Sequence, residues 1–200
     1  MKSIRFAILV LSVLIVTSAW AQEDDNAAAV RSQHLTGGMI VSGGTGLFDR
    51  DNVQFIRAGV RVGRVMTKEL GSGRMRGTFE EDVEFTPVDY VLWGGYGKVY
   101  GFGVTPVVLK WNFTSSRKVI PYFLAQGGML HTSVKVPPKN TSTVNFLSGP
   151  GIGFNYFVKS GRSVNFDFRA VHLSNASLGD HNPGVNASLQ FSIGYNWWKH

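Results

Sequence analysis

His172 and Ser174 stand two residues apart near the C-terminus, and that spacing gives them chemical interest. In an extended strand, residues i and i+2 project from one face. An imidazole at 172 then lies beside a hydroxyl at 174, and a histidine so placed can take the proton of a serine acting as nucleophile. Upstream the chain alternates, with Val164, Phe166, Phe168 and Ala170 on one parity and Ser163, Asn165, Asp167 and Arg169 on the other. This is the pattern of a half-buried strand. Followed forward, the apolar parity runs into His172 and Ser174, where polar groups are costly unless used or hydrogen-bonded. The apolar run ends there, and the turn-rich Gly179-Asp180-His181-Asn182-Pro183-Gly184 follows. The pair therefore belongs at the rim of an apolar band. By itself a His-x-Ser spacing also fits two ordinary rim residues.

The strands that must position this pair are legible along most of the chain. Residues 34–46 form a Gly-rich first strand. Residues 52–66 place Ile56, Ala58, Val60 and Val62 on one face and Arg57, Gly59, Arg61 and Gly63 on the other. After a turn at Gly71-Ser72-Gly73, Arg74, Arg76, Thr78, Glu80, Asp82 and Glu84 share one parity, opposed by Met75, Gly77, Phe79, Val83 and Phe85, with Glu81 breaking the apolar row. Residues 88–93 extend that strand beyond Pro87. Further runs cover residues 100–113, 119–131, 144–157 and, after a tight turn at Lys159-Ser160-Gly161-Arg162, 163–174. In the last run Leu189, Phe191, Ile193, Tyr195 and Trp197 alternate with small polar residues and end on the rings expected at a bilayer interface. About eight such runs predict an all-β fold, an eight-stranded antiparallel outer-membrane β-barrel with apolar residues outside and a filled, polar lumen. Arg57 and Arg61 should meet acidic partners among Glu80, Asp82 and Glu84 in that lumen.

Composition agrees. Charged residues are only 16% of the chain, and there are 24 glycines, 12% aromatics and no cysteine, which excludes a disulfide scaffold. Lys2 and Arg5, the apolar stretch 6–16 and Ala19-Trp20-Ala21 read as a secretory signal peptide cut after Ala21. Residues 22–200 are then a single barrel domain, with a polar N-terminal tail or short helix to about residue 32. The net charge of +7 falls to +5 once Lys2 and Arg5 leave. Export makes nucleic acid an unsuitable partner. His34, His131, His181 and His200 show no metal-ligand spacing, and no motif calls for a cofactor.

The segment His172-Leu-Ser174-Asn175-Ala-Ser177-Leu178, followed by Asn182-Pro183-Gly184, resembles the motif of the lipid A 3-O-deacylase family (the PagL type). Tyr100-Gly-Phe-Gly-Val-Thr-Pro106, Leu109-Lys-Trp-Asn-Phe113 and Pro121-Tyr122 extend the similarity. The resemblance implies an outer-membrane barrel whose catalytic pair lies on its outer wall, within reach of lipopolysaccharide acyl chains. It makes Ser174 the nucleophile and His172 the general base, with Asn175 and Asn182 near the site as candidate oxyanion donors. Lipid A or lipopolysaccharide becomes the substrate and outer-membrane lipids the surroundings; a homodimer is compatible with it. One position departs from the family: Asn186 stands where the resemblance expects an acid to orient the histidine. Strict alternation also puts Asn186 on the lumen side unless a bulge intervenes, and Asp180 is the nearest carboxylate that could substitute. Two other readings stay open. One is a non-catalytic structural or adhesive barrel that has lost its acid. The other is a periplasmic lipid-binding barrel, which would need polar outer faces that these strands lack.

Overall fold

The computed structural model describes residues 27–48, 51–94, 97–136, 141–179, 181 and 185–199, with the side chains of Asn186 and Lys199 excepted. The expected signal peptide, Asp180 and Asn182 lie outside these residues. Eight antiparallel strands follow in order: β1 (Leu35–Gly46), β2 (Val53–Val65), β3 (Gly77–Trp93), β4 (Gly97–Phe113), β5 (Val119–Thr132), β6 (Val144–Lys159), β7 (Arg162–Ser174) and β8 (Val185–Lys199). Each pairs with the next, and β1 pairs with β8, so the sheet closes and leaves no edge. The shortest strand has 12 residues and the longest 17, enough for tilted strands to cross a hydrocarbon layer.

The alternation decides which way each side chain points. Outward positions such as Met39, Val62, Phe85, Leu109, Phe123, Ile152 and Ile193 are exposed, while their neighbours are buried in the lumen. So continuous an apolar outer face would not remain soluble in water, and it suits lipid. An even number of strands brings both chain ends to one rim, where Leu35 lies opposite Lys199. At that rim lie connections of two residues (β6 to β7), five (β4 to β5) and eleven (β2 to β3), against six, three, eleven and ten at the other. Short turns mark the periplasmic side, so the connection after Ser174 faces outward from the cell.

Two of the sequence expectations need correction. Arg61 does meet Glu84, at 2.6 Å, and Asp82, but Arg57 is buried against Asp89 instead. The cause is a bulge in β3. Ala58 pairs with Val88 and Val60 with Phe85, so Gly59 stands opposite two residues and everything beyond it shifts register. Pro87 sits in this irregular stretch, where the missing N–H costs no ladder bond, and β3 therefore continues past it.

Nor is the lumen polar throughout. Its middle layer holds the charges, but the outward end is filled by Val53, Phe55, Trp93, Leu130, Leu147 and Leu173 with their neighbours. The periplasmic end is filled by Val65, Ile120, Phe157 and Trp198. Residues 27–31, expected to be a tail or short helix without chemistry, supply Ala27, Ala29 and Val30 to this lower cluster as a short 3-10 turn. Thr78 Oγ1 donates to the Val30 carbonyl at 2.8 Å. Arg31 donates to the Thr114 and Ser116 carbonyls of the turn between β4 and β5.

Candidate active site

Strand β7 carries Phe166, Phe168, Ala170, His172 and Ser174 on its outward parity, and His172 is exposed. Between them, Val171 and Leu173 point inward and are each 1% exposed within the upper apolar cluster. The pair is therefore anchored from behind by packed hydrocarbon, while its own side chains face the membrane. Ser174 is the last residue of the strand, at its outward end. Across β6, Ser148 lies opposite His172 and Phe146 opposite Ser174.

On the other side the ladder with β8 is irregular. Val171 pairs with Ser188 and Leu173 with Val185. One residue of β7, His172, is thus spanned by two of β8, Asn186 and Ala187. The bulge anticipated as a condition for Asn186 is present: strict alternation does not run through this stretch. Ser188, buried on the lumen side, donates its hydroxyl to the Val171 carbonyl at 2.9 Å. Ala187 turns its carbonyl to the amide of Leu47, in the connection after β1. Ser188 had no motif to mark it in the sequence, because a small polar residue on the lumen parity is what any such strand contains.

The loop after Ser174 is ordered by Asn175. This side chain is 2% exposed; its Nδ2 donates to the His181 carbonyl at 2.8 Å and its Oδ1 accepts the Ser177 N–H at 2.9 Å. The Leu178 N–H donates to the Asn175 carbonyl at 2.9 Å. Ala176 and Ser177 consequently both adopt the left-handed region, at φ 48° and 64°, which costs on the order of 1–3 kcal/mol per non-glycine residue. Gly179 packs against the backbone of Thr141, where a Cβ would come within 2.7 Å of the carbonyl carbon. The connection after β7 thereby leans on the one after β5. Asp180 and Asn182 are not described, and of Asn186 only the backbone is. His34, one of the histidines set aside as scattered, bonds to Ser32 near the opposite rim. Among the described residues no group of His, Asp and Glu side chains forms a metal site.

Residues 75–196 match the family Lipid A 3-O-deacylase (PagL). A search of curated proteins finds no match. Among solved structures, the outer membrane enzyme PagL is similar at 20% identity and a TM-score of 0.47, with 79% of this chain and 98% of that one covered. The N-terminal β-barrel domain of Pseudomonas aeruginosa OprF is similar at 11% identity and 0.49, over 83% and 100%. Neisserial surface protein A follows at 15% and 0.44, over 82% and 96%.

Proposed function

The chain belongs to the lipid A 3-O-deacylase family, and on that premise we propose that it is an outer-membrane serine esterase removing an ester-linked acyl chain from lipid A. The barrel is an outer-membrane one. The observation that carries the catalytic reading is the outward parity of His172 and Ser174 at the outer end of β7. There a hydroxyl and an imidazole face lipid at the level where head groups begin, which is where the ester bonds of a glycolipid lie.

In this reading Ser174 Oγ attacks the ester carbonyl while His172 accepts its proton. The C–O bond to the sugar breaks, and the imidazolium returns the proton to the departing alkoxide. Water, deprotonated by His172, then attacks the acyl-serine and releases the fatty acid, and the proton returns to Ser174. Asn175 and Asn182 are the candidate donors to the developing oxyanion. The fixed bonds of Asn175 to His181 and Ser177 support a further role in holding the loop still beside the nucleophile. Asn186 is proposed to orient the imidazole, a role its position beside the bulge supports.

Replacement of an acid by Asn186 also favours a second reading, a barrel that keeps the fold and has lost the chemistry. Mass spectrometry of lipid A from cells expressing the chain separates the two. The wild type should remove one acyl chain, and Ser174→Ala and His172→Ala should each abolish that loss. Both variants should still migrate as compact barrels on unboiled gels, since rim side chains contribute little packing. An unchanged acyl pattern with folded wild type, across several lipopolysaccharides, would establish the non-catalytic reading.

A further inference from the structure

Among the described residues, the basic side chains are gathered at the end away from the proposed catalytic pair. Arg64, Arg76, Arg117, Lys118, Lys159 and Arg162 all sit at the periplasmic rim or in its turns, accompanied among the described residues by Glu69 and Glu81 as the acidic side chains there. At the outward rim the described lysines and arginines are Lys98 and Lys135.

One sector of this rim lies beneath a built groove. On the outer wall of β4 to β8, a cavity of about 380 Å³ is walled by Phe113, Phe123, Ile152, Phe154, Phe166 and Phe168. Its aromatic walls are fixed against each other. Phe113 meets Phe123 edge-on at 5.4 Å between ring centres, and Phe154 stacks on Phe166 at 5.1 Å. Asp167, level with its floor, is seven residues below Ser174 along β7, about 23 Å at the rise of a strand. Asp167 is also only five residues above Arg162, so the groove lies near mid-height on β7 and reaches the periplasmic end of β4 at Phe113.

Its lower lip is charged. Val119, Tyr156 and Val164 form the next outward row below Pro121, Phe154 and Phe166. The Lys118 ammonium stands over the Tyr156 ring, 5.5 Å from its centre. Arg162 continues the outward parity of β7 four residues below Phe166, about 13 Å along the strand. Apolar walls above and two cations below, at head-group depth, match an acyl chain joined to a phosphate.

We propose that this groove, with Lys118 and Arg162, is a binding site for an anionic glycerophospholipid of the periplasmic leaflet, separate from the site that would cleave lipid A. The partner is a leaflet phospholipid and not lipid A, because the cations that flank the groove, Lys118 and Arg162, lie at the periplasmic rim and not beside Ser174.

The test uses the mature barrel refolded into nanodiscs of phosphatidylcholine with a minor share of phosphatidylglycerol, extracted gently and weighed by native mass spectrometry. The wild type should retain phosphatidylglycerol at least fivefold over its share in the disc. Lys118→Gln combined with Arg162→Gln should abolish the preference, while Lys118→Arg combined with Arg162→Lys should keep it. Ile152→Trp, which fills the groove from its wall, should lower retention of both lipids. Each variant is first checked for compact mobility on unboiled gels, and the charge-conserving pair reports on the site even where the neutral pair folds poorly. Retention in proportion to disc composition by the wild type would overturn the proposal. So would a preference that survives the neutral pair, retention of both lipids unchanged by the tryptophan, or lipid A displacing phosphatidylglycerol when both are supplied.

Discussion

The proposed chemistry turns on Asn186. A carboxylate beside an imidazole does two things: it holds the tautomer that leaves the other nitrogen free to act as base, and it stabilises the imidazolium once formed. An amide oxygen performs the first and contributes little to the second. If Asn186 orients His172, then Asn186→Asp or Asn186→Glu should raise the rate of acyl release by at least tenfold, about 1.4 kcal/mol of barrier. The converse Asp-to-Asn change in a serine protease triad, about 10⁴-fold, sets the ceiling. Release of fatty acid from lipopolysaccharide by purified barrels in detergent measures it. A rate unchanged in both variants, with Asp180→Ala inactive, would transfer the role to Asp180. The His172 and Ser174 pair was visible in the sequence because period-2 alternation is a local property and needs no knowledge of neighbours. The surroundings of Asn186 were not visible, because a bulge between Val185 and Ser188 is decided by the partner strand. Asn175 was visible as a motif residue only; its bonds to His181 and Ser177 arise from the shape of the loop.

At the level of elements, alternation placed the runs that became β2, β3, β7 and β8 within a few residues of their observed limits, and apolar or Gly-rich content placed the other four. Registers were not legible. The assignment of Arg57 to the acidic row of residues 80–84 failed because the bulge opposite Gly59 advances β3 to Asp89. For the segment 27–31 a short helix was among the expected forms, but its place inside the barrel was not legible, for a different reason. Its alanines have no periodicity of their own, and they are ordered by a cavity that the closed barrel creates, between Val65, Ile120, Phe157 and Trp198. That dependence makes a prediction. Val30 has no exposed surface, and Val30→Ala removes two methyl groups from a packed site, costing about 1–2 kcal/mol by the usual transfer and cavity effects. Val30→Asp leaves a carboxylate with no partner among those apolar neighbours and should cost more than Val30→Ala. Urea midpoints read from the compact band on unboiled gels report both. Equal midpoints for wild type and Val30→Asp would mean that this turn contributes nothing to closing the barrel.

Across the whole molecule, the buried charges join neighbouring strands and also cross the lumen, and one of the crossing bonds ties the strand that carries His172 and Ser174 to β3. Glu84 on β3 accepts from Arg61 on β2 at 2.6 Å and, across the lumen, from Arg169 on β7 at 2.9 and 3.0 Å. Arg169 donates in turn to Asp167 at 2.7 Å and to Gln126 on β5 at 2.5 Å. Lys110 on β4 pairs with Glu80 at 3.0 Å and also with Asp82. None of these side chains reaches water to any useful extent, so removing one partner strands the others. Glu84→Ala takes the nearest anion from both Arg61 and Arg169 and should cost on the order of 3–5 kcal/mol. Arg61 keeps Asp82 and Asp167 at 3.6 and 3.5 Å, whereas Arg169 keeps only Asp167 among the carboxylates that it contacted. Most of the penalty therefore falls on Arg169, and Arg169→Met should restore part of the stability lost in Glu84→Ala while destabilising the wild type. Unfolding midpoints of the four proteins form a double-mutant cycle. A coupling of 1 kcal/mol or more is expected for groups in direct contact. If the two changes simply added, Glu84 and Arg169 would be held by the barrel around them and not by each other, and the bond from β3 to β7 would no longer explain how the strand carrying the site is kept in place.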